Sequence, residues 1–334
     1  MRLTSFLLSV TACVASFTMP ASLFAAKQLK FGILTPEGTT WTKLVKEMGQ
    51  ELSEKSKGEL TMKVAAGGVK GDEPDMLRAM PSGSLNSGAF SGVGLGEIVP
   101  SIRILEAPLL FRNNAELDKV KEVLFDDFAK EFDKKDFVLL GFAEAGFVNV
   151  FSKQKIDNEA ALKKIKMWVW SNDKVAALFL NEFGIKTNPF ILPEVSTQLS
   201  TGTIDSFYSP PLAAVGFQWF QHVKYMLDYP FVNSTGAMIV KKSFFTSLPE
   251  DQQKLLRETA KTYAKKVVEA SREDNQKALE ELKTKAGIEF LKPSAEDIKK
   301  FEGYAQNVYK KSIPDIYSQQ LFDKVQGVLK SMRK

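Results

Sequence analysis

The chain has 334 residues, 44% hydrophobic and 25% charged, enough for two ordinary globular domains and too evenly balanced for a disordered one. Its formal charge of +5 is spread over Lys/Glu-rich stretches such as residues 253–285, without the clustered Lys/Arg and interleaved aromatics of a nucleic-acid surface. A single histidine, His222, excludes a histidine-based metal cluster and leaves at most one imidazole for acid–base work.

Arg2 is the only charge before Lys27, and two apolar runs, residues 6–10 and 17–24, end in Ala25-Ala26. This is the pattern of a secretory signal peptide over residues 1–26, too short and too interrupted by Thr, Ser and Pro20 for a membrane span. The mature chain is then periplasmic and, with Cys13 removed, free of thiols and disulfides. Val10-Thr11-Ala12-Cys13 offers a second reading, a lipid anchor on Cys13, which the greasy residues 14–24 disfavour, because such a tether is normally polar.

After the leader the chain alternates strand and helix. Gly67-Gly68-Val69-Lys70-Gly71 lacks the Lys-Ser/Thr ending of a phosphate loop and Gly92-Val93-Gly94-Leu95-Gly96 the spacing of a dinucleotide turn, so both are tight loops at strand ends. Units up to about Phe142 form a first lobe, with crossings to a second near residues 146–149 and 233–237. The division is residues 27–148 with about 236–268, and residues 149–235 with about 269–334. In the second lobe, Met167-Trp168-Val169-Trp170 is a strand, followed by a helix with Ser171 or Asn172 at its cap, Asp173 in the first turn and Gly184 at its end. A short helix over 193–201, the turn Gly202-Thr203 and a strand over 204–208 follow, and Pro210-Pro211 stops that strand. Leu248-Pro249-Glu250-Asp251 starts a helix whose apolar spacing runs to Ala286-Gly287, longer than most globular helices.

The order of these segments resembles the DctP-type solute receptors of TRAP transporters, the tripartite ATP-independent periplasmic uptake systems. The likeness is carried by the strand–helix register of residues 162–211, by Pro193-Glu194-Val195, Thr201-Gly202 and Ile204-Asp205, by residues 30–34 and the stretch from Trp41 to Gly58, which resemble the family's first strand and helix, by Gly67-Gly68, Gly71-Asp72-Glu73 and residues 76–83, which resemble its second βα unit, by Glu106-Ala107-Pro108-Leu109-Leu110-Phe111, and by the lead into the long C-terminal helix over 241–249. It implies an α/β, two-lobed periplasmic binding protein of the type II-like kind, with mixed sheets flanked by helices, a ligand cleft between the lobes and a long helix spanning both. It also implies no catalysis and no cofactor or metal. The partners implied are a small-molecule ligand, TRAP membrane permease subunits and, for a subset of such receptors, a tetratricopeptide-repeat protein.

In the family an arginine on the strand corresponding to residues 166–169 clamps a carboxylate. This chain has Trp168 there, Ser209 where the family has an asparagine, and Phe147-Val148-Asn149 where a basic residue often follows the glycine. A desolvated anion without a paired cation is heavily penalised, so a hydrophobic or aromatic cargo is expected in place of a small dicarboxylate. A flat aromatic compound and a ring-held amine remain open beside an elongated hydrophobe. The expected ligand-binding residues are Trp168, Ser209, Tyr208, Trp219, Asn149, Phe90, Trp41 and Trp170, with polar contacts from Asp173, Asn149 and Glu144. Strand alternation is taken to send only one of Trp168 and Trp170 to the cleft, and Tyr208 rather than Phe207. Two other functional classes stand beside this one: a periplasmic lipid carrier or a ligand receptor for a sensor, uncoupled from any TRAP permease, and a hydrolase or isomerase recruited onto the receptor fold, since fold alone does not fix function.

Overall fold

The structure is a computed structural model that describes residues 26–333. The proposed signal peptide and the Cys13 lipidation site lie outside the described residues. Nine strands form one continuous mixed sheet: β1 (Lys27–Gly32), β2 (Leu60–Ala65), β3 (Ser87–Ser91), β4 (Phe137–Ser152), β5 (Met167–Trp170), β6 (Thr187–Phe190), β7 (Ser206–Ser209), β8 (Tyr225–Lys241) and β9 (Glu289–Leu291). Their order is β2-β1-β3-β8-β4-β7-β5-β6, with β9 alongside the start of β8. The expectation of separate sheets is thus corrected to a single one.

Two long strands make the sheet continuous. β4 and β8 pair antiparallel from Phe137↔Lys241 to Ser152↔Tyr225, with irregularities between Glu144 and Gly146 and between Val148 and Val150. β3 joins the far end of β8 and carries the parallel β1 and β2 beyond it; β7 joins the far end of β4 and carries the parallel β5 and β6. Two lobes result, each a small α/β unit, joined through the middle of one ladder. The crossings expected near residues 146–149 and 233–237 fall inside this ladder.

The long helix runs from Glu250 to Thr284 along both lobes. Leu256, Ala260, Tyr263 and Val267 pack into the core around β1 and β3, and Leu282 into the core around Trp168 and Phe207. Between these contacts the helix grips the ladder's irregular centre. Arg272 Nε donates to Glu144 Oε1 at 2.7 Å and its other nitrogens to Asp118, while Asn275 Nδ2 donates to the Ala145 carbonyl at 2.7 Å. Gly146 follows with φ +115°, where a Cβ would sit 2.3 Å from Asn275 Nδ2. Only glycine satisfies both the left-handed backbone and that approach.

Several local expectations shift. The helix after β5 is Lys174–Glu182, and Asp173, not Ser171 or Asn172, is its cap, accepting from Ala176 N at 3.0 Å. The segment from 193 divides into a 3₁₀ turn, Leu192–Glu194, and a helix, Val195–Thr201, closed by Gly202 at φ +76°. Glu144, expected to contact ligand, is fully buried in the ladder, where it also accepts from Lys121 Nζ at 2.9 Å.

Lys121 is buried as well, and burial holds its ammonium below the ordinary lysine range despite Glu144. Removing the carboxylate leaves that cation without its partner in the interior. Glu144→Ala is therefore expected to lose about 3 kcal/mol or more of unfolding free energy in urea titration. Combining it with Lys121→Met should cost less than the sum of the two single losses, and a double loss equal to that sum would show the pair to be uncoupled.

Candidate ligand cleft

Between the lobes lies a cavity of about 170 Å³ that gathers Trp41, Phe90, Trp168, Trp170, Tyr208, Ser209 and Trp219. Seven of the eight expected site residues therefore meet at one place. The eighth, Asn149, lies outside this lining; it is buried in β4, and its Nδ2 donates to the Leu227 carbonyl at 2.9 Å.

The expectation that only one of Trp168 and Trp170 faces the cleft is wrong. Residues two apart on a strand share a face, and both indoles line the cavity with ring centroids 6.3 Å apart. Met167 and Val169, on the opposite face, are buried in the core formed with the Lys174–Glu182 helix. For β7 the alternation gives Tyr208 to the cleft, while Phe207 stacks on Phe151 at 4.9 Å. Tyr208 in turn stacks on Trp168 at 5.2 Å and 18°, and Trp219 meets Trp168 edge-on at 5.4 Å. This is a packed aromatic wall of offset and edge contacts.

The polar atoms of that wall are already used by the protein. Trp168 Nε1 donates to the Phe190 carbonyl at 3.0 Å, Trp170 Nε1 to Asp72 Oδ2 at 2.8 Å, Trp219 Nε1 to Ser196 Oγ at 3.1 Å and Trp41 Nε1 to Ser271 Oγ at 2.5 Å. Tyr208 Oη donates to Asp173 Oδ2 at 3.0 Å and accepts from Trp170 N at 3.2 Å, and Ser209 Oγ donates to the Pro210 carbonyl. What these residues present to the cavity is ring face and hydrocarbon. Among the residues lining the cavity there is no lysine or arginine.

Arg103, missed by the sequence reading, stands just behind the wall with two carboxylates. Arg103 donates to Asp173 Oδ1 at 2.5 Å and lies 3.1 Å from Glu106 Oε2, all three side chains buried. Asp173 is thus not a free polar contact but shared among Arg103, Tyr208 and its own helix cap. The signal was present in Ile102-Arg103-Ile104-Leu105-Glu106, an oppositely charged i,i+3 pair inside an apolar run. On the other side, Glu73 accepts from Ser91 N, Ser91 Oγ and Gly94 N, each at 2.7 Å, at the start of the helix Gly92–Ile98.

Burial pushes both Glu73 and Glu106 up to about 7, overcoming the donors around the first and Arg103 beside the second. Each holds in the folded chain a proton that the unfolded chain, at about 4.5, has released. Their contribution to stability is therefore full below about 4.5 and is lost as pH rises to about 7. Glu159, held down to about 2 by Lys163 and Tyr304, titrates below that window. The thermal midpoint should accordingly fall across this interval, and Glu73→Gln or Glu106→Gln should each flatten part of the slope; an unchanged slope in both variants would assign the effect elsewhere.

Known proteins place this arrangement. The chain is 27% identical over 275 residues to the 2,3-diketo-L-gulonate-binding periplasmic protein YiaO of Escherichia coli, covering 81% of this chain and 82% of that one. Its fold matches the sugar acid binding protein DctPAm from Advenella mimigardefordensis in complex with galactonate, at TM-score 0.86 and 20% identity over 92% of this chain and 98% of that one. It also matches a TRAP periplasmic solute binding protein from Desulfovibrio salexigens with bound orotic acid, at TM-score 0.84 and 19% identity over 90% and 98%. The model of the DctP family, bacterial extracellular solute-binding protein family 7, spans residues 31–315, and the chain belongs to that family.

Proposed function

We propose that this receptor carries an uncharged, mainly apolar or aromatic molecule in the cleft between its lobes and presents it, by closing around it, to a TRAP membrane permease. The observation that carries the reading is the lining itself: aromatic faces whose N–H and O–H groups are committed to the protein, and no cation among the lining residues. A carboxylate moved from water into this cavity would find neither a paired charge nor a free indole donor, and Glu73 at its edge would repel it when ionised. The relatives pull the other way, since they are named for or hold 2,3-diketo-L-gulonate, galactonate and orotic acid. At 19–20% identity the two solved structures speak for the fold and not for the cargo.

The lobes of the proposal are residues 27–148 with about 236–268 and residues 149–235 with about 269–334, hinged at the centre of the β4–β8 ladder. Closure would be favoured by bonds that cross the cleft, Asp72 to Trp170 and Arg103 to Asp173. Neither the structure nor the relatives speak for a tetratricopeptide-repeat partner, and it forms no part of the proposal; the same holds for a carrier uncoupled from a permease.

The test is mass spectrometry of the small molecule released by mild unfolding from protein purified in its mature form, against a blank preparation. A carbon-rich, uncharged mass is expected. A sugar acid or dicarboxylate would overturn the proposal and assign the missing cation to a residue outside the cavity lining. The Trp168→Arg variant should bind the native ligand at least tenfold more weakly by isothermal titration, because it replaces a stacked ring with a buried charge; unchanged affinity would remove Trp168 from the site.

A further inference from the structure

We infer that the cargo is elongated, a hydrocarbon chain with a small uncharged head, whose tail occupies a second chamber behind the tryptophan wall; this rests on the apolar reading of the outer cleft. The chamber has a volume of about 100 Å³ and is lined by Val150, Leu162, Val175, Phe179, Phe183 and Phe231 among others. Protein interiors contain few voids larger than one water. At about 30 Å³ for each water in the liquid this one has room for about three, comparable to a chain of about as many methylenes.

Three features make it a continuation of the cleft and not a packing defect. Ser91, Val148, Trp170, Tyr208 and Ser234 line both cavities, so the two meet along one wall. The wall's two large side chains, Trp170 and Tyr208, donate at their tips to Asp72 and Asp173, so the border between the two cavities is set by fixed rings. The chamber's charged groups, Arg103, Asp173 and Glu106, pair with one another, with Arg103 Nε alone among them lacking a partner, and leave the remaining surface almost wholly apolar. The helix Lys174–Glu182 supplies Val175 and Phe179 at i,i+4 spacing and Phe183 follows at its C-cap, a stripe that faces the chamber and core together. A compact polar ligand would gain nothing from this space, whereas each methylene entering it leaves water.

Straight-chain alcohols from butanol to dodecanol provide the probe, titrated against the full mature chain. The readout is built in, because all four tryptophans line the outer cavity. Affinity should rise about fourfold for each added methylene, the equivalent of ~0.8 kcal/mol. In Ala176→Phe and Val150→Phe, which fill the chamber from the helix Lys174–Glu182 and from β4, the rise should stop at shorter chains than in the wild type. A long chain ending in an adamantyl cage, too bulky to follow past Tyr208 and Trp170, should bind the wild type at least tenfold more weakly than dodecanol; this comparison needs no variant to fold. If the rise survives both plugs, or if the caged chain binds as well as dodecanol, the chamber is not the tail site although the cleft is apolar. If no alcohol binds the wild type, the apolar reading of the cleft itself fails.

Discussion

The antiparallel ladder of β4 and β8 is the constraint on which the rest of the structure depends. Both lobes are extensions of these two strands, three strands on one side of β8 and three on the other side of β4. A continuous ladder would make a rigid plate. Here it is interrupted between Glu144 and Gly146 and again between Val148 and Val150, so the sheet bends where the cavities open. The unpaired backbone of this bend is not left to water: Asn275 takes the Ala145 carbonyl with its amide nitrogen and Leu212 N with its oxygen. One side chain of the long helix thereby ties the bend to the start of the segment that follows β7.

The buried charges at the lobe junction obey the same logic. Lys121 and Glu144, with the half-buried Arg272 and the exposed Asp118 at their rim, form one cluster and Arg103, Asp173 and Glu106 another, each joining elements distant in sequence. Buried ion pairs contribute little net stability compared with well-packed hydrocarbon. Their consequence is geometric, because a charge withdrawn from water tolerates few alternative positions. Asp173 illustrates it: one carboxylate caps its own helix, pairs with Arg103 and receives Tyr208, so the ring that separates the two cavities is fixed from behind.

The cleft therefore owes its character less to which aromatic residues it contains than to how their polar edges are spent. Four indole N–H groups could have served a ligand, and each instead bonds a protein acceptor. Two of these bonds also position the wall, since Asp72 belongs to the loop before the helix Glu73–Arg78 and Ser271 to the long helix. Aromatic faces held in this way give area and stacking without hydrogen-bond capacity.

The sequence by itself determined the α/β alternation, the long C-terminal helix, the family and the residues of the aromatic wall, because these follow from period, turn chemistry and residue type. Periodicity placed β5 and its helix correctly, and Gly184 and Gly202 mark left-handed positions where a side chain is disfavoured. It did not reveal that Trp168 and Trp170 lie side by side, although the two-residue repeat contained that fact. Tertiary structure alone decided the rest. Asn149 and Glu144, polar residues beside a predicted crossing, turned inward to the ladder because buried backbone and Lys121 needed partners. Arg103 and Asp173, seventy residues apart, met because the ladder brings their lobes together. Whether an indole N–H faces a ligand or a carboxylate, and whether a second chamber opens behind a ring, depends on contacts between segments far apart in the chain, which no local pattern encodes.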